Sequence, residues 1–324
     1  MPLIDTYGRR INYLRLSVTD RCNLRCTYCM PATGVAKWES KEILRYEELL
    51  VLARAALAIG VEKIRVTGGE PLVRKDLPTF LAELARLPGL RQLVLTTNGI
   101  LLAQEATALK RAGVQRLNIS LDSLRPKTFA RITRGGDLAA VLAGIAAAEQ
   151  AGLPVKLNMV VMRGVNDDEL SDFAALTLHQ DVTVRFIEHM PAAQAVDSHT
   201  LLLPGSTILN RLAESFSLEP LARGELSGPA QEFKISGAVG TIGLITPLSG
   251  HFCGECNRIR VDSSGFARSC LFGSPGANLK PLLTAGGTPL EAALRLLVAK
   301  KPARHLLNEP ATPPAPFTMA TIGG

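Results

Sequence analysis

From Leu14 to about Met190, short β-branched runs alternate with Ala/Leu-rich amphipathic stretches, and this rhythm admits few folds. Strand candidates lie at 13–18, 62–67, 91–97, 115–121, 155–161 and 182–188, with helix candidates between them at 46–59, 77–86, 101–112, 138–151 and 167–179. The first helix reads Tyr46-Glu47-Glu48-Leu49-Leu50-Val51-Leu52-Ala53, with apolar residues at helical spacing and Gly60 at its stop. Five strand–helix units and a sixth strand predict an α/β fold, a parallel sheet with helices on its outer side. Six strands are too few for a full eight-stranded barrel. The pattern alone fits a partial barrel and an open doubly wound sheet equally well.

Parallel folds of this kind build their sites from loops at the carboxyl ends of the strands. The polar features fall there in order: Thr67-Gly68-Gly69-Glu70-Pro71, Thr96-Thr97-Asn98-Gly99, Ser120-Leu121-Asp122-Ser123, and Glu188-His189-Met190-Pro191, with Lys156 and Asn158 on the fifth strand. The paired glycines allow close backbone approach to a ligand. Arg15 and Arg65 sit inside otherwise apolar strands, where an unpaired charge is costly, and Glu70 is a candidate partner for one of them.

After the first strand come three thiols within eight residues, Cys22, Cys26 and Cys29, spaced C-x3-C-x2-C. Soft sulfur ligands suit iron–sulfur clusters and zinc. A closed zinc site wants four ligands, yet the next Cys is Cys253 and the first His is His179. Three thiolates on a four-iron cluster leave one iron open to a ligand that is not protein, which implies chemistry rather than a staple.

Beyond about 190 the strand–helix rhythm fails and glycine and proline become frequent. Runs such as Gly240-Thr241-Ile242-Gly243-Leu244-Ile245 suggest antiparallel strands, and a boundary is expected near 200. Glu309 to Pro316 reads as an extended tail. A second thiol group, Cys253, Cys256 and Cys270, is again one ligand short. His251 offers a zinc alternative, although it must fold back sharply to reach the same ion. Arg258 and Arg260 alternate, so on a strand both face one side beside the thiols, where paired guanidiniums suit phosphate recognition.

The C-x3-C-x2-C motif with Tyr28 before its last Cys resembles the radical S-adenosylmethionine (SAM) enzymes, in which the open iron chelates SAM. The strand-end motifs, Arg185-Phe186-Ile187-Glu188-His189-Met190-Pro191, and Cys-x2-Cys-Asn-Arg-x-Arg-x9-Cys narrow that resemblance to the GTP 3′,8-cyclases of molybdenum cofactor biosynthesis. It spans Leu14 to the terminal Gly323-Gly324, a pair that in the family inserts into the active site. The resemblance tips the fold to a six-stranded partial (β/α) barrel over 1–200, with a partly β C-terminal region, 201–324, that carries a second cluster and closes the barrel. It implies two [4Fe-4S] clusters, on Cys22, Cys26 and Cys29 and on Cys253, Cys256 and Cys270. SAM contacts would come from Tyr28, Gly69, Ser120 and Met190, and GTP contacts from Arg15, Arg65, Thr96, Lys156, Arg258 and Arg260. Arg15, Arg258 and Arg260 of this set are assigned to catalysis. In the family a SAM-derived radical takes hydrogen from C3′ of GTP, and the C3′ radical closes on C8. The implied partners are GTP, a flavodoxin- or ferredoxin-like electron donor, a downstream cyclic pyranopterin monophosphate synthase and a second copy of the chain. Another radical SAM enzyme with an auxiliary [4Fe-4S] cluster is the alternative.

Composition narrows the remaining classes. All six cysteines fall in two tight groups, a metal-ligand distribution rather than a disulfide framework, which favours a reducing cytoplasm. No apolar run is long enough to span a membrane. The net charge of +7 is dispersed and aromatics make up 5%, so nucleic acid is not the expected partner and a small polyanion is.

Overall fold

The computed structural model describes residues 2–190, 200–272 and 276–305. The terminal Gly323-Gly324 and the segment Glu309–Pro316 lie outside the described residues. In chain order the barrel half comprises β1 (Tyr13–Ser17), α1 (Tyr46–Ala58), β2 (Lys63–Thr67), α2 (Leu77–Ala85), β3 (Gln92–Thr97), α3 (Leu102–Arg111), β4 (Arg116–Ser120), α4 (Pro126–Thr133), α5 (Leu138–Gln150), β5 (Val155–Val161), α6 (Leu170–His179) and β6 (Val182–Glu188). The remainder adds α7 (Gly205–Ala213), β7 (Leu218–Pro220), β8 (Gln231–Ile235), β9 (Thr241–Ile245), β10 (Arg258–Val261), β11 (Phe266–Arg268), β12 (Ala277–Asn278) and α8 (Gly287–Ala299).

β1 to β6 pair in sequence order, all parallel, as the strand–helix alternation predicts. Their outward residues, such as Leu14, Leu16, Ile64, Val66, Leu95, Leu117 and Ile119, are fully buried under the helices. Burial on both faces gives parallel strands near-continuous apolar runs. The cations that interrupt those runs point the other way, into the barrel. α1 starts at a capping box, where the backbone N–H of Arg45 donates to Glu48 at 2.7 Å, and it ends at Gly60, whose φ of +112° favours glycine.

The C-terminal strands do not form a separate sheet. β10 adds beside β1 and β9 beside β6, both parallel, so the sheet order is β12-β11-β10-β1-β2-β3-β4-β5-β6-β9-β8-β7. The expectation of antiparallel strands holds for the β8–β9 and β10–β11 pairs, but β9 runs parallel to its barrel neighbour. A hairpin from β8 reverses the chain once, and β9 therefore leaves in the direction of β6. The result is an unclosed sheet, a partial barrel extended at both edges. Among the described residues no helix is long and apolar enough to cross a membrane.

Candidate active site

The first thiol loop leaves β1 and has no regular structure of its own. It is hung instead on the end of α4: the backbone N–H groups of Arg25 and Thr27 donate to the carbonyls of Thr133 (3.2 Å) and Ile132 (2.9 Å). The Arg134 guanidinium donates to the carbonyls of Arg25 and Met30, both at 2.8 Å. From the other side, the N–H groups of Gly69 and Glu70 donate to the carbonyls of Thr19 and Arg21, each at 2.8 Å. A Cβ on Gly69 would stand 2.5 Å from the Arg21 carbonyl oxygen, so only glycine fits. Burial pushes the Cys22 and Cys26 thiols up, Cys26 further. The Leu24 amide (3.4 Å) and the Asn98 side-chain amide (3.9 Å) donate toward Cys22 Sγ.

The second thiol group is tied down from both chain ends. Cys253 opens a single helical turn, Cys256 leads into β10 and Cys270 follows β11. Arg9 is locked to Asp5 at 2.5 Å and donates to the carbonyls of Cys253 (2.7 Å), Pro302 (2.7 Å) and Ala303 (3.0 Å). The buried Lys301 donates to the carbonyls of Arg258 (3.1 Å) and Ser269. Burial alone would raise Cys256, but Arg258, Lys301 and Arg260 together pull it down to about 6. His251 is brought beside Cys253 together with His305, their ligand atoms all within 4.8 Å of one another.

Strand register sets the cations between these two groups. Arg15 on β1 is aligned with Arg65 on β2 and with Arg260 on β10, so three guanidiniums form one row across adjacent strands. One step below, Tyr13 is aligned with Lys63 and Arg258, and its ring lies 4.6 Å from Lys63 Nζ and 5.4 Å from the Arg65 guanidinium. Burial, with mutual repulsion behind it, depresses Arg15 and Arg260, the latter to about 10. Both thiol groups open on one cavity of about 240 Å³, lined by all six cysteines.

Of the residues singled out in the sequence, Arg15, Arg65, Thr96, Arg258 and Arg260 line that cavity, as do Tyr28, Gly69, Ser120 and Met190. The Tyr28 hydroxyl donates to Asp122 at 2.8 Å, and burial pushes the Asp122 carboxyl up to about 6. Lys156 sits two residues before the cavity-lining Asn158 on β5, with Nζ 2.7 Å from Glu232. The expected pairing of Glu70 with Arg15 or Arg65 gives way to another one. Its carboxylate accepts from the Thr97 hydroxyl (2.7 Å) and the backbone N–H groups of Asn98 (2.6 Å) and Leu72 (3.0 Å). Glu70 thus fixes the turns at the ends of β2 and β3, and burial lifts it to about 7 despite those donors.

Several residues of the barrel interior were not singled out as site candidates in the sequence: Lys63, Arg116 and Glu232, and Arg185, which entered only as part of a motif. Burial lowers Lys63 to about 6, with Arg65 and Arg116 adding to the effect, and Arg185 to about 10. The signal that marked Arg15 and Arg65, a cation inside an apolar strand, is also present at Lys63, Arg116 and Arg185.

The donor set fits the groups that the motifs imply. The six cysteines are half-buried thiols in two trios, and among the described residues the buried Arg65 Nε, Thr96 Oγ1, Asn158 Oδ1 and Arg185 Nε, all on cavity-lining residues, find no protein partner. Buried polar atoms without partners are costly, and a ligand with both anionic oxygens for the guanidinium N–H groups and a donor for Asn158 Oδ1 would satisfy them.

Comparison with known proteins agrees. Residues 16–177 match the radical SAM superfamily and residues 182–307 match the family described as Molybdenum Cofactor Synthesis C. The GTP 3′,8-cyclase of Geobacter sulfurreducens is 59% identical over 326 residues, covering 100% of both chains. That of Moorella thermoacetica is 47% identical over 99% of both. Among solved structures, Streptococcus suis SuiB bound to S-adenosylmethionine superposes with a TM-score of 0.62 at 15% identity, covering 89% of this chain and 69% of SuiB, a likeness of fold.

Proposed function

The chain belongs to the GTP 3′,8-cyclase family of radical SAM enzymes, and from that membership we propose that it converts GTP to (8S)-3′,8-cyclo-7,8-dihydroguanosine 5′-triphosphate, the first step of molybdenum cofactor biosynthesis. The observation that carries the reading is the single cavity shared by both cysteine trios and the row Arg260–Arg15–Arg65. In this reading Cys22, Cys26 and Cys29 hold one [4Fe-4S] cluster and Cys253, Cys256 and Cys270 the other, each leaving an iron open. Held there, the clusters and SAM would supply one-electron reduction and hydrogen abstraction at C3′ of the nucleotide.

The protein's own share is placement. SAM is assigned to Tyr28, within the first thiol loop, and to Gly69, Ser120 and Met190 at the carboxyl ends of β2, β4 and β6. Arg15, Arg65, Arg258 and Arg260, with Thr96 and Lys156, are assigned to GTP. Arg65, Arg258 and Arg260 are buried and, with Arg15, are oriented on three adjacent strands by register, so these guanidiniums are pre-oriented for the phosphates, and Arg15, Arg258 and Arg260 hold the nucleotide at the reacting end. The chain divides at about 200 into a barrel and a C-terminal region that completes the site. A flavodoxin- or ferredoxin-like donor, a cyclic pyranopterin monophosphate synthase that takes the product, a homodimer and a cytoplasmic setting complete the proposal.

The test is anaerobic reconstitution with iron and sulfide, followed by SAM, dithionite and GTP. The expected products are 5′-deoxyadenosine and a cyclised nucleotide with the mass of GTP. Deoxyadenosine without that nucleotide would remove GTP as substrate and leave a different radical SAM activity.

A further inference from the structure

Among the described residues, Glu232 is the carboxylate that meets Lys156 and Arg185 inside the barrel, and it comes from a strand outside the parallel core. Its Oε1 accepts from Lys156 Nζ at 2.7 Å and from the Arg185 guanidinium at 3.4 Å. To reach them it must cross β9. The register places Glu232 opposite Gly243, and Gly243 opposite Arg185. A Cβ on Gly243 would lie 3.3 Å from Arg185 Cγ, so the absent side chain keeps this crossing uncrowded.

The pair is exchangeable in character. Lys156 and Arg185 are 14% and 4% exposed in their side chains, whereas Glu232 retains 31%. Both cations are anchored to the core sheet, and the anion has the greatest access to water of the three. Among the described residues the buried Arg185 Nε has no protein partner, so Glu232 does not exhaust its donors. An anion with several oxygens would use donors that one carboxylate leaves idle.

We propose that Glu232 is an exchangeable counter-ion: it occupies Lys156 and Arg185 in the nucleotide-free protein, and the phosphate chain of the substrate takes both cations from it. The inference rests on the GTP reading and adds a competitor to it. A nucleotide must bring enough charge to displace the carboxylate, so Glu232 discriminates against ligands whose phosphates are too few to reach the pair. When the binding-competent state is a minority, apparent affinity falls by its fraction. A pair closed nine-tenths of the time therefore weakens phosphate binding about tenfold.

Equilibrium binding to the anaerobically reconstituted protein at pH 6.5 tests this, with GTP, inorganic tripolyphosphate and guanosine as probes. Glu232→Gln should tighten GTP and tripolyphosphate about tenfold and leave guanosine unchanged. Glu232→Asp, which keeps the charge but shortens its reach, should tighten both phosphates by less. Circular dichroism identifies any variant that fails to fold, and Glu232→Asp then carries the comparison. Weaker or unchanged phosphate binding in a folded variant would overturn the proposal, because it would make Glu232 a support for Lys156. A parent protein that binds neither GTP nor tripolyphosphate would overturn the GTP reading itself, and this inference with it.

Discussion

Lys156 shows how one side chain can respond to pH in two opposite senses. Burial chiefly, with Arg185 adding and Glu232 opposing, lowers its pKa from the ordinary 10.5 to about 8. Between those values the unfolded chain binds more protons than the folded one, so this group's contribution to stability rises with pH from about 8 to 10.5. Phosphate binding needs the ammonium and follows the other direction. GTP affinity should fall as pH passes about 8, approaching one decade per unit, and Lys156→Arg should remove the inflection because guanidinium stays charged. Isothermal titration from pH 7 to 9.5 reads this directly, and an affinity that is flat across the range would take Lys156 out of the phosphate contacts. Arg15 and Arg65 were legible in the sequence because a charge in an apolar strand is conspicuous. Glu232 was not, because a carboxylate in a polar C-terminal segment looks solvated until the fold carries it across β9.

The elements divide in the same way. β1 to β6 and five of their helices were legible because parallel burial and 3.6-residue periodicity are local signals. α4 was not: it has eight residues, and only Phe129, Ile132 and Thr133 of them are buried. Yet α4 supplies the carbonyls on which the first thiol loop hangs, so the missed element positions the most conspicuous motif. The direction of β9 was also hidden, since its neighbour β6 is set by a distant pairing and not by local pattern. Gly69 presses on the same loop from the opposite side, against backbone that cannot move aside as a flexible side chain would. Gly69→Ala should therefore cost about 1–3 kcal/mol through displaced backbone. It should also halve the iron of the reconstituted protein, from about eight to about four atoms per chain. Iron analysis with spectroscopy of the remaining cluster checks this. A full iron complement with unchanged SAM binding would show that the loop tolerates the methyl.

Over the whole molecule, the net charge of +7 understates how unevenly charge is placed. The exterior pairs its charges in networks such as Arg10–Glu62–Arg91–Glu225, where each contact contributes little. The interior gathers Arg15, Lys63, Arg65, Arg116, Lys156, Arg185, Arg258 and Arg260 on one sheet face, where burial first and repulsion from neighbouring cations second lower Arg15, Lys63, Arg185 and Arg260. Such a barrel folds against its own repulsion, and the apolar outer face of the sheet must offset that cost. A polyanion that binds only the folded state relieves it. At one hundred times its dissociation constant, a ligand stabilises by about 2.7 kcal/mol. For a chain of this size that corresponds to a rise in melting temperature of roughly 5 °C. GTP and tripolyphosphate should both produce the shift in anaerobic scanning fluorimetry at 50 mM salt, and raising the salt should shrink it through screening. Guanosine at the same concentration lacks the phosphates and should leave the melting temperature nearly unchanged. An equal shift from guanosine would place the stabilising contact at the base and leave the barrel's charge without a ligand to explain it.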